Sequence, residues 1–200
     1  GQLFFDGDYL LESSHINLLA EDENGFSWNQ SAVRVTVNGS PAEAQLGDTT
    51  QSGQIISATI ALDLEVGEHI ISYQMSDALG NWSEEVSITG VVAGAAAIYD
   101  YGNFPNPFEG ETLIIYELTQ PLDDVVIDIF TLSGYKLHTI DLFSARVSIG
   151  LGAIGYHEVP WNGRDRSDDF VANGVYFYRI KGQLNDEEIV GPIGKMVKNR

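Results

Sequence analysis

The sequence predicts an all-β fold built as two β-sandwiches in tandem. Three observations predict it. Apolar residues recur with a period of two, as in Val33-Arg34-Val35-Thr36-Val37. Turn signals such as Asn38-Gly39, Val66-Gly67 and Leu79-Gly80-Asn81 interrupt that pattern at short intervals, which favours sandwiches over βαβ units. No window of 11 or more residues carries a capped, 3.6-residue apolar face, so little or no α-helix is expected.

Taken in order, the first half holds candidate strands at Leu3–Phe5, His15–Ala20, Val33–Val37, Ile55–Leu62, His69–Met75 and Ser83–Val92. The Asn38-Gly39 pair is a hairpin dipeptide, because both residues tolerate positive φ. The run Ala93-Gly94-Ala95-Ala96-Ala97 has small residues and no alternation, and reads as a linker. The second half repeats the rhythm at Tyr99–Phe104, Thr112–Leu118, Val125–Thr131, Lys136–Leu142, Gly155–Trp161, Gly174–Lys181 and Glu187–Val197. The expected organisation is a sandwich over 1–93, a linker over 94–98 and a second sandwich over 99–200. Pro105 and Pro107 lack a backbone donor, which suits an edge segment leading into the second sandwich.

Composition narrows the function. The chain carries 29 acidic and 10 basic residues, a net charge of −19. Residues 1–97 hold 14 of the acids and a single base, Arg34. Such a field repels nucleic acid, whose phosphates need clustered Lys and Arg. It keeps an extracellular protein soluble and is also able to attract Ca²⁺. There is no cysteine, so disulfides, zinc-thiolate sites and thiol nucleophiles are excluded. No apolar run approaches the ~20 residues that cross a membrane as a helix. The sequence goes from Gly1 straight into a strand-like segment, and a piece of a longer protein is the expectation.

Five motifs of the second half occur in a fixed order: Asn103-Phe104-Pro105-Asn106-Pro107-Phe108, Thr112–Leu118, Val126–Gly134, Trp161-Asn162-Gly163-Arg164-Asp165 and Gly174-Val175-Tyr176-Phe177-Tyr178. Together they resemble the C-terminal Ig-like domains shared by type IX secretion cargo and the flagellar hook-capping protein. In the first half, Phe5-Asp6-Gly7-Asp8-Tyr9, Glu21–Gly25, Val66–His69 and Ser76–Asn81 look like the Ig-like domain that precedes it in gingipain-type peptidases and the related sortase. The resemblance implies two tandem Ig-like β-sandwiches in the non-catalytic C-terminal region of a larger secreted bacterial protein. It implies a place at the cell surface, partnership with secretion or surface-attachment machinery, and a catalytic domain upstream in the same chain. The alternative is a passive spacer, or a carbohydrate- or Ca²⁺-binding module appended to a secreted hydrolase or cysteine peptidase. Asn162 stands where the family usually has Asp, a mild change because both tolerate turn backbones. The stretch Phe143–Ile154 is longer and richer in glycine than a minimal version.

Candidate sites are few. Asp6, Asp8, Glu21, Asp22 and Glu23 offer the oxygens that Ca²⁺ wants, without EF-hand spacing; a solvated turn around Asn24-Gly25 is the favoured reading. Asp165, Asp168 and Asp169 form a second acidic loop, partly neutralised by Arg164 and Arg166. His15, His69, His138 and His157 lack zinc spacing and read as strand histidines, although His15 and His69 are placed to approach each other across a sheet. Trp28, Trp82 and Trp161 with nine tyrosines invite sugar stacking, but core packing is the commoner use of strand aromatics. Asn29, Asn38 and Asn81 each begin an Asn-x-Ser triplet, to which no weight is given. No nucleophile elbow or catalytic constellation is present, so no catalytic residue and no cofactor are assigned.

Overall fold

The computed structural model describes residues 4–26, 32–47, 54–142 and 152–199. These form fifteen β-strands and, among the described residues, no α-helix. The chain divides into two compact units, Gly1–Gly94 and Ala95–Arg200.

The first unit contains β1 (Asp8–Leu10), β2 (Ser13–Glu21), β3 (Val33–Val37), β4 (Ser40–Ala42), β5 (Ala44–Leu46), β6 (Ile55–Asp63), β7 (Gly67–Met75) and β8 (Val86–Val92). One sheet runs β1-β8-β7-β3-β4 and the other β2-β6-β5. β1 lies parallel to β8, with Asp8 opposite Gly90. The period of two is what makes this a sandwich. In β6, Ile56, Ala58, Ile60 and Leu62 are buried, and they meet Val35, Ile71, Met75 and Val92 from the opposite sheet in one core. The β3–β4 hairpin turns on Asn38 (φ 52°) and Gly39 (φ 77°), as the dipeptide predicts.

Two expectations change here. The first strand is not Leu3–Phe5: Leu3 lies outside the described residues, and Phe5-Asp6-Gly7-Asp8 is a turn closed by the Asp8 amide donating to the Phe5 carbonyl. Gly7 at φ 90° moves the strand to Asp8–Leu10. β4 and β5, three residues each, escape the alternation rule because they are too short to show a period.

The second unit contains β9 (Ile98–Phe104), β10 (Thr112–Leu118), β11 (Asp124–Thr131), β12 (Lys136–Asp141), β13 (Gly155–Trp161), β14 (Gly174–Leu184) and β15 (Glu187–Lys198). The sheets are β13-β10-β9 and β12-β11-β14-β15. Successive strands switch sheets between β10 and β11, between β12 and β13 and between β13 and β14. This is the interleaving of immunoglobulin and fibronectin-type sandwiches. The strands read inward-outward in turn: Ile114, Tyr116 and Leu118 face Ile127, Ile129, Tyr178 and Ile180 in a single core. The β14–β15 loop is the two-residue pair Asn185-Asp186, both at positive φ, a hairpin turn of matching hand. Gly194 sits opposite Tyr178, and a methyl group there would overlap the tyrosine ring, so the ring lies flat over bare backbone.

Candidate functional site

The motifs that stand apart in the sequence meet at one end of the second unit. Phe108 is 1% exposed, and its ring lies 5.5 Å from that of Trp161; Trp161 in turn meets Tyr176 edge-on at 6.2 Å. Each residue comes from a different motif. The Trp161 indole donates to the Arg164 carbonyl (2.9 Å), and the Asn162 side-chain oxygen accepts from the Arg164 amide (3.2 Å), closing the turn after β13. An aspartate oxygen at position 162 would accept the same bond, so the departure from the family pattern costs the turn nothing. The Tyr176 hydroxyl donates to the Ala172 carbonyl four residues upstream (2.6 Å). A tyrosine anchored in this way near the start of the penultimate strand is the tyrosine corner of Greek-key sandwiches.

The Pro105-Asn106-Pro107-Phe108 segment does not extend β9. Both of its X-Pro bonds are cis, and it runs beside the last strand instead. Asn106 accepts from the Val197 amide (2.9 Å) and donates to the Lys195 carbonyl (3.1 Å). The Phe108 amide donates to the Val197 carbonyl, and its carbonyl accepts from the Asn199 amide, both at 2.9 Å. β15 is therefore held by β14 on one side and, at its end, by residues 106–108 on the other.

Asp128 and His157, both buried in this unit, have structural partners. Asp128 is buried among the Thr139 hydroxyl (2.6 Å), the Lys136 ammonium (3.0 Å) and Lys181 (3.7 Å). Burial pushes its pKa up, but the Thr139 hydrogen bond and the two lysines outweigh this and hold the carboxyl below its usual value. His157 stacks on Tyr116 at 5.0 Å and bonds the Ala153 carbonyl (2.7 Å). Desolvation lowers its pKa, partly opposed by that carbonyl, so burial favours the neutral ring. Burial raises the Tyr178 phenol to about 12. Asp165 accepts from the Ser167 and Asp169 amides, and Arg164 stacks over Phe170 at 3.7 Å, so the second acidic loop is tied to itself.

In the first unit three of the acids considered for Ca²⁺ bond backbone amides in two different places. Asp6 accepts from the Thr89 amide (2.7 Å) and Asp8 from the Phe5 amide (2.7 Å), both beside β8. Asp22 accepts from the Asn24 amide (2.8 Å) beyond the end of β2. Among the described residues no group of three or more His, Asp or Glu converges as a ligand set. Glu21 and Asp22, but not Asp6 or Asp8, line a cleft of about 400 Å³ at the mouth of the sandwich, together with Tyr73, Asp77, Trp82 and Glu84. Asp77 caps that mouth: it accepts from the Leu79 and Asn81 amides and from the Asn81 side chain. The Asn81 side-chain bond is the main reason its pKa is lowered. The sequence marks this loop as a turn and as a family likeness; the Asp77 cap is what holds it.

The histidines and tryptophans are similarly placed. His15 and His69 lie on different sheets and do not approach across one sheet. His69 is held between Asn38 (2.9 Å) and the Glu65 carbonyl (2.7 Å). Trp161 is in the core, so it contributes nothing to a sugar-stacking strip. Trp82 is half-buried beneath Arg34, whose guanidinium lies 3.8 Å from the ring centre. Trp28 and Asn29 fall outside the described residues, as does most of the long stretch Phe143–Ile154. No helix among the described residues is long and apolar enough to cross a membrane.

No protein-family model matches the chain, and no curated protein matches it. Among solved structures it is similar to dimeric latent PorU from Porphyromonas gingivalis, at 18% identity over 99% of this chain and a TM-score of 0.44. The chain spans 19% of the length of that PorU chain. It is also similar to the fibronectin(III)-like modules of Clostridium thermocellum CbhA, at 11% identity over 97% of this chain and 89% of that one, with a TM-score of 0.36. A third likeness is to SGBP-B of a Bacteroides ovatus mixed-linkage glucan utilization locus, in complex with a mixed-linkage heptasaccharide. There the identity is 10%, over 100% of this chain and 45% of that one, with a TM-score of 0.38.

Proposed function

We propose that this chain is the non-catalytic region of a larger secreted bacterial surface protein. Its last sandwich acts as a folded docking body in type IX-type secretion or in surface attachment. One observation carries the reading: the residues of three separate motifs, Phe108, Trp161 and Tyr176, form one buried aromatic stack next to the clamp on β15. β15 is secured on one flank by β14 and on the other by Asn106 and Phe108 of the first motif. The buried carboxylate, imidazole and phenols are engaged in packing and hydrogen bonds, which supports a role in placement over one in catalysis.

The test is a fusion of residues 95–200 to a reporter enzyme in a host with a type IX apparatus. Surface display is the expected result. A folded fusion retained in the periplasm would reject the docking role and leave the passive spacer.

A further inference from the structure

We propose that the outer face of the β12-β11-β14-β15 sheet is the docking face of the second unit, and that its occupant is an acidic protein segment bearing apolar side chains. The inference rests on the docking role proposed above and names the surface that serves it.

Register fixes which residues stand on this face. Ile129, Tyr178 and Gly194 align across β11, β14 and β15, with Ile129 and Tyr178 in the core. Their neighbours along each strand therefore point outward. Phe130 pairs with Phe177 and Phe177 with Lys195; Arg179 lies between Asp128 and Ile193; Val175 pairs with Val197. Phe130, Val175 and Phe177 are half-buried, and Ile193 is 54% exposed. Phe130 and Phe177 are direct cross-strand partners, Val175 stands next to Phe177 on the same face of β14, and Ile193 is diagonal to Phe177, so these apolar residues form one group.

The charge on this half of the face is opposite to that of the chain. Lys136, Arg179, Lys181 and Lys195 are four of only ten bases among 29 acids. The acid at its centre, Asp128, is buried and neutralised by Lys136 and Lys181. The other acids on the face, Asp124, Asp141 and Glu188, sit toward the opposite end of the strands, where Glu188 also reaches Lys181 at 3.8 Å. Among the described residues no carboxylate lies within salt-bridge distance of Arg179 or Lys195, and the buried Arg179 Nε has no hydrogen-bond partner. An incoming carboxylate meets the exposed Lys195 ammonium and the Arg179 guanidinium with charge-assisted hydrogen bonds. Apolar contact supplies affinity, and charge complementarity supplies orientation and approach rate. A second copy of this chain, also at −19, suits the face poorly.

Two experiments test this. In the first, the full chain labelled with ¹⁵N is titrated with the peptide acetyl-Glu-Phe-Glu-Leu-Glu-amide, and with the same peptide carrying Lys for Glu. Shifts confined to Val175, Phe177, Arg179, Ile193 and Lys195, seen only with the Glu peptide and weakened by salt, support the proposal. Equal response to the Lys peptide, shifts elsewhere, or none overturn it, as would a dimer of the chain that buries this face or flotation of the chain with phosphatidylserine vesicles. In the second, the reporter fusion carries Ile193→Asp with Lys195→Glu, or the control Tyr156→Asp on the opposite sheet. With melting unchanged, the double variant is expected to lose about tenfold in surface signal, as for a binding loss of one decade, while the control does not. Normal display of the double variant rejects this face and leaves the docking role standing. Retention of the unmodified fusion rejects both.

Discussion

Two phenylalanines four residues apart in the same motif are expected to behave in opposite ways. Phe108 is 1% exposed and stacks on Trp161, whereas Phe104 is 73% exposed. Phe108→Ala keeps the backbone bonds to Val197 and Asn199 but empties the space beside Trp161 and Gly163. Truncating a buried Phe costs about 3–5 kcal/mol through lost transfer energy and an unfilled cavity. A domain of about 100 residues has an unfolding entropy near 0.2 kcal/mol/K at its midpoint, so each kcal/mol moves Tm by about 5 °C. The expected loss is therefore about 15–25 °C in the transition of the second unit, read by scanning calorimetry. Phe104→Ala removes surface only, and stays within about 0.5 kcal/mol, or about 2–3 °C. Equal losses for the two variants, or a Phe108→Ala shift below about 5 °C, would refute the assignment of Phe108 to the core and the description of the clamp with it.

Further outcomes follow from the same geometry. Asn106→Ala removes the acceptor of the Val197 amide and a donor to Lys195, and should cost about 1–3 kcal/mol and speed hydrogen exchange at Val197. The His157 pKa is lowered in the folded state, so its contribution is whole above the ordinary histidine value of 6.5 and is lost as pH falls below it. Urea melts of His157→Gln should show a smaller drop in stability between pH 7 and pH 5 than the parent. Asp128 has the same sign in a lower window, below its ordinary 3.8. Titration with Ca²⁺ is expected to give neither heat nor a rise in Tm, because Asp6 and Asp8 cap one loop and Asp22 another. A clear rise would show that the first unit does hold the ion.

Local rules made much of this protein legible. Alternation in Val33–Val37, Ile55–Leu62 and Thr112–Leu118 marks strands because successive side chains point to opposite faces, and Asn38-Gly39 marks a hairpin because both residues adopt positive φ without strain. The acidic loops, the histidines and Trp161 were visible as residue types, but type does not say what a side chain touches. Asp22 and Asp6 look alike in sequence, yet they bond amides in different places.

What the amino-acid sequence determined alone was strand periodicity, turn chemistry, charge and the absence of cysteine, all set by neighbours along the chain. Tertiary structure decided that Asn106 belongs to the last strand and not to β9, that Phe108 is core and Phe104 surface, and that Lys136 and Lys181 converge on Asp128 from different strands. Each of these depends on pairing between segments distant in sequence, and such pairing is chosen by how two sheets bury their inner faces together.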